Sequence, residues 1–117
     1  MIAVIFELTP KPEAREQYFE IATDLRPLLD DIDGFISIER FQSLSEPDKF
    51  LSLSFWRDET AVRAWRTLQK HRAAQRIGRA EVFENYRLRV ATVQRDYGME
   101  EREQTPEDSR DAHEAGY

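Results

Sequence analysis

The chain has 117 residues, 40% of them hydrophobic and 34% charged, with no cysteine and a formal net charge of −6. That length holds one domain with a core of its own, and the absence of cysteine excludes a disulfide framework, a thiolate metal site and a cysteine nucleophile. The charge is unevenly placed: seven of the 23 acidic and two of the 17 basic residues fall within 99–117, so the rest carries sixteen acids against fifteen bases. A near-neutral body gives nucleic acid no electrostatic footprint, so no nucleic-acid partner is expected. No run approaches the roughly 18 apolar residues of a membrane span, and Met1-Ile-Ala-Val leads into a strand pattern rather than a signal-peptide core. No membrane partner is therefore expected, and the cytoplasm is the expected location.

Residues 2–9 alternate Ile2, Val4, Phe6 and Leu8 with Ala3, Ile5, Glu7 and Thr9, the period of a strand with one strongly apolar face. Pro10 and Pro12 end it, and Pro12 suits a first helical turn, where its missing N–H would have no partner anyway. Tyr18, Ile21, Leu25, Leu28, Leu29 and Ile32 then recur at helical steps, with Pro27 expected to kink the helix and Asp33-Gly34 to close it. Gly34-Phe-Ile-Ser-Ile-Glu-Arg-Phe41 and Lys49-Phe-Leu-Ser-Leu-Ser-Phe-Trp56 form a hairpin across the turn Ser45-Glu-Pro-Asp48. A second amphipathic helix starts at Asp58, with Ala61, Trp65 and Leu68 as its inner stripe and a further short turn from about His71 to Arg79. A last strand runs from Val82 to Val93.

The order β-α-β-β-α-β predicts an α+β, ferredoxin-like domain over residues 1–97, with two helices on one face of a four-stranded antiparallel sheet. Residues 98–117 lack an apolar pattern and read as an acidic, polar, mobile tail. Two helices cover only one sheet face. The other is expected to carry Ile5, Phe35 or Ile36, Trp56, and Tyr86 or Val93, too much apolar surface to leave in water. A second copy packed sheet against sheet would hide it, so a homodimer enclosing a barrel cavity is expected.

The chain resembles the antibiotic biosynthesis monooxygenase family of dimeric α+β barrels. The likeness covers about residues 1–97 and rests on Gly34–Phe41, on Phe55-Trp-Arg-Asp-Glu59, and on the spacing of Trp56 and Trp65 with His71 following. The haem-degrading branch of that family uses an Asn on the first strand, a Trp on the second helix and a His about ten residues later. Trp65 matches the Trp, but Ile5 and Gln75 stand at the other two places, so haem is disfavoured, with His71 the one substitute iron ligand. The resemblance to the cofactor-free branch implies oxygenation of a small aromatic or quinone-like substrate with no metal and no flavin.

That chemistry needs an apolar cavity, donors for an oxyanion and a proton acceptor. His71, the one histidine of the folded body, titrates in a suitable range and is the expected proton acceptor, with Asn85 and Arg87 as oxyanion donors. Trp65 is the expected pocket wall, and Ile5, Glu7, Arg40 and Gln75 complete the expected substrate-binding set. Plainer roles exist for each. His71 sits in the polar run Gln69-Lys-His-Arg72, Trp65 falls on a core stripe, and Arg87 and Arg89 are placed for ion pairs with Glu7 and Glu39. An accessory dimer that only binds a small hydrophobic molecule is the alternative function. No metal site is expected, because the second histidine, His113, lies in the tail and no carboxylate cluster has ligand spacing.

Overall fold

The computed structural model describes the backbone of residues 1–74 and 82–114 and the side chains of residues 1–69 and 82–110. Strand β1 (Ile2–Pro10) leads through a short 3-10 turn, Pro12–Ala14, into helix α1 (Arg15–Leu29). The hairpin β2 (Phe35–Gln42) and β3 (Phe50–Trp56) follows, then α2 (Glu59–Ala74), β4 (Phe83–Thr92) and α3 (Glu107–Glu114). The four strands form one antiparallel sheet in the order β2-β3-β1-β4, the ferredoxin-like arrangement expected. Helix α1 continues through Pro27, which lies within its last turn, so the ring breaks the ladder only where the helix is ending.

The register assigns the two faces. Ile2, Val4, Phe6 and Leu8 stand opposite Trp56, Ser54, Ser52 and Phe50, and this is the side the helices cover. Ile2, Leu29, Trp56, Ala61 and Val62 form one buried cluster there, and Leu8, Ala14, Tyr18, Phe50 and Val82 form another. Trp56 is therefore not on the bare face, as the alternation suggested. It is wholly buried beneath the helices and donates its indole N–H to Ser54 Oγ at 2.9 Å. Tyr86, paired with Leu8, also belongs to the helix side. The bare face instead shows Ala3, Ile5 and Glu7 opposite Phe55, Leu53 and Leu51. In Phe50-Leu-Ser-Leu-Ser-Phe-Trp56 it is thus the serines that turn toward the helices and the leucines that turn away.

Two sequence signals fix the entry to α2. Gly34 has φ of 91°, and a Cβ there would lie 2.8 Å from Ala61 Cβ, so both backbone and space require glycine. Its carbonyl accepts the Arg57 N–H at 2.7 Å, tying the turn after α1 to the end of β3. Asp58 caps α2, its Oδ1 accepting the Ala61 N–H at 3.0 Å. The Arg57 guanidinium bonds Asp58 and reaches both carboxylate oxygens of Asp33, at 3.1 and 2.9 Å. The Ala61 amide, then Arg57, hold the Asp58 carboxyl below its ordinary 3.8, and Arg57 does the same for Asp33.

Because both folded values are depressed, this stabilisation is complete above pH 3.8 and is lost as pH falls below it toward the folded values. Asp58→Asn, which keeps an acceptor but does not titrate, should show a smaller fall in unfolding temperature between pH 4 and about 2 than the wild type. Parallel melting curves for the two proteins would remove Asp58 from the acid response.

Beyond β4 the described hydrogen bonds of residues 94–114 close within that segment: Asp96 N–H to Gln104, Arg102 to the Gly98 carbonyl, and Arg110 to the carbonyls of Arg102 and Glu103. The radius of gyration, 17.2 Å, exceeds the roughly 13 Å of a compact chain this long, so the molecule is elongated. Helix α3 was not anticipated from apolar periodicity. Its signal is the start sequence Thr105-Pro-Glu-Asp108, with proline just before the helix and two acids in its first turn. Among the described residues, no helix is long and apolar enough to cross a membrane.

Candidate functional site

Between the helices and the sheet lies a cavity of about 240 Å³. Its floor is built by period two: Val4 and Phe6 from β1, with Leu88 and Val90 from β4, all point to the helix side. Its walls are built by helical spacing: Ile21 and Leu25 from α1, and Val62 and Trp65 from α2. Trp65 stacks on the buried Trp56, ring centroids 6.4 Å apart, which fixes the wall to the core. Leu88 and Val90 remain 51% and 47% exposed although they line the cavity, so it opens along β4.

The small side chains of β3 leave the room. Ser52 and Ser54 lie on this floor where leucines would fill it. Ser54 is engaged by Trp56, but among the described residues the Ser52 hydroxyl and the Trp65 indole N–H have no hydrogen-bond partner. Arg40, the cross-strand neighbour of Ser52, and Arg66 and Gln69 from α2 add a polar border. Among the described residues no group of three or more His, Cys, Asp or Glu is placed to hold a metal ion.

The expected site residues divide between the two faces. Trp65 and Arg40 line the cavity. Asn85, Arg87 and Glu7 border a separate, smaller polar groove with Lys49 on the opposite side of the sheet. The reason is register: Arg87 pairs with Glu7 and Asn85 with Thr9, so both are out of phase with the cavity-facing Leu88 and Val90. Ile5 lies on that bare face as well, opposite Leu53. Glu7 is bound in ion pairs, 3.7 Å to Lys49 and 3.3 Å to Arg89, a structural role for a residue expected in a substrate site. Asn85 and Arg87 therefore do not join Trp65 in one constellation within the chain. His71 belongs to α2, but its side chain lies outside the described residues, and Gln75 lies outside them altogether.

The sequence reading missed Tyr18, Ser52, Ser54, Arg66 and Gln69, which border the cavity. The usable signal for the serines is their alternation with leucines along β3.

A ferredoxin-like sheet that keeps a hollow beneath its helices defines an α+β domain able to hold a small molecule. Residues 1–77 match the family model described as antibiotic biosynthesis monooxygenase, and the chain belongs to that family. It is 53% identical over 93 residues to the jasmonate monooxygenase ABM of Pyricularia oryzae, a match covering 80% of this chain but only 43% of that protein's length. It is 36% identical over 94 residues to the uncharacterized protein YqjZ of Bacillus subtilis, covering 80% and 79% of the two. Among solved structures it resembles Rv0793 of Mycobacterium tuberculosis, with a TM-score of 0.71 at 16% identity over 83% of this chain and 98% of that one.

Proposed function

We propose that this chain is a monooxygenase whose small apolar substrate sits in the cavity between the helices and the sheet, with dioxygen as oxidant and no metal or flavin as resident cofactor. The observation that carries this reading is a cavity with an apolar lining, opening along β4, in a chain of the monooxygenase family. A substrate with an acidic C–H gives up a proton, and its anion passes one electron to dioxygen. The radical pair recombines to a peroxide on carbon, which loses water to leave a carbonyl. The balance is CH2 plus O2 to C=O plus H2O, so the substrate supplies every electron. The Trp65 N–H and the Ser52 hydroxyl, both unpartnered among the described residues, are the donors suited to the oxyanion in place of Asn85 and Arg87. His71, on the same helix as Trp65, is the proposed proton acceptor.

The test is oxygen uptake and product mass on a panel of hydroquinones, anthrones and jasmonate, the last chosen from the name of the Pyricularia relative. The product should gain one oxygen and lose two hydrogens. His71→Ala should lower turnover by about 10²–10⁴ while circular dichroism stays unchanged. Unaltered turnover removes His71 from the mechanism, and no turnover of any substrate by the wild type removes the oxygenase reading. The same reading includes a homodimer formed through the bare face, supported by the half-buried Ile5, Leu51, Leu53 and Phe55, which face away from the described helices α1 and α2.

A further inference from the structure

We infer that the cavity selects an apolar molecule that carries a carboxylate, and that Arg40 and Arg66 at its border bind that group. The inference rests on the proposed substrate cavity and adds to it the charge of the ligand. Its first support is the composition of the lining, which contains two arginines and no acidic residue among those described. The second is that both guanidinium groups are unpartnered. Neither the Arg40 nor the Arg66 guanidinium has an ion pair or a hydrogen bond among the described residues; those of Arg63, Arg87 and Arg95 share that state, but none of them lines the cavity. In a body with nearly equal numbers of acids and bases, two unneutralised cations beside one apolar hollow give it a local positive field.

The third support is placement. Arg40 stands directly across from Ser52 on the helix side of the β2–β3 pair, so a cation and a free hydroxyl meet at one end of the floor. Arg66 and Gln69, three residues apart on α2, lie on one helical face and bring a second cation and an amide from above. A guanidinium presents a planar fork of donors that fits a carboxylate through two parallel hydrogen bonds, while the rest of the lining accepts only apolar surface. Both arginines are exposed, so the head group stays wet at this border, and the hydrocarbon part lies in the cavity, whose opening along β4 is at the other edge of the sheet. A volume of about 240 Å³ has room for a short hydrocarbon chain or a small ring system.

The experiment compares three probes of one length, octanoate, 1-octanol and octylamine, by calorimetry and by tryptophan fluorescence in the full chain. The wild type is expected to bind octanoate about tenfold more tightly than 1-octanol, the preference shrinking as salt rises from 0.05 to about 0.5 M. Arg40→Gln with Arg66→Gln should bring octanoate to the level of 1-octanol and leave 1-octanol itself unchanged, which also shows that the cavity remains formed. Arg40→Glu with Arg66→Glu should reverse the preference toward octylamine. Equal binding of octanoate and 1-octanol by the wild type, or a preference that survives both double variants, overturns the inference and leaves the cavity reading standing. Binding of none of the three overturns both.

Discussion

Trp56→Ala is expected to destabilise the protein by about 3–5 kcal/mol, measured as the change in urea midpoint at constant slope. Trp56 is 0% exposed, the largest wholly buried side chain among the described residues, and lies in the cluster that joins β1, β3 and α2. Its ring meets Phe35 edge to face with centroids 5.2 Å apart and stacks with Trp65 at 6.4 Å. Truncation would remove these contacts, leave a cavity that the sheet cannot close, and strip Ser54 Oγ of its donor in a buried place. Trp56→Phe separates the effects: it keeps most of the volume and loses the hydrogen bond, so about 1–2 kcal/mol is expected. A loss below about 1 kcal/mol for Trp56→Ala would mean that the tryptophan is not buried as described. The variant also has a consequence at the cavity, because Trp65 rests on Trp56 and would lose its fixed position.

How much of this was legible in the sequence follows from the range over which each signal acts. Strand and helix periods are local, and β1, α1, the hairpin, α2 and β4 stand where periodicity, Pro12, Gly34 and Asp58 put them. The facing of β3 is not local. Leu51, Leu53 and Phe55 make the more apolar side of that strand, and an apolar side is ordinarily turned inward. The register with Ile2 and Leu8 turns it outward, and it is the strand's end residues, Phe50 and Trp56, that belong to the core. The β1–β3 and β1–β4 registers together decide which side of the sheet each candidate residue takes. Trp65 and Arg40 stay in the candidate site, Asn85 and Arg87 leave, and Ser52 enters. Helix α3 was missed for a different reason: with almost no apolar residues it has no periodicity, and only its starting residues mark it.

The same inversion gives the outward face its own prediction. Leu53 sits at the centre of that face, opposite Ile5 on β1 and Glu39 on β2. Around it Ile5, Leu51 and Phe55 are only half-buried, Glu39 and Arg89 end its cross-strand row, and the Glu7–Lys49 pair lies toward one strand end, an apolar centre with a charged border. If a second copy covers this face, Leu53→Asp places a carboxylate in a desolvated interface and should weaken self-association by at least about 100-fold. If the face is open to water, the same change should alter stability by no more than about 0.5 kcal/mol and leave the mass untouched. Sedimentation at micromolar concentration is therefore expected to return twice 13.8 kDa for the wild type and 13.8 kDa for Leu53→Asp. A wild type that sediments at 13.8 kDa ends the homodimer proposal. It does not end the cavity, which lies on the helix side of the sheet while Leu53 is on the other, so ligand binding and self-association are separable by this substitution.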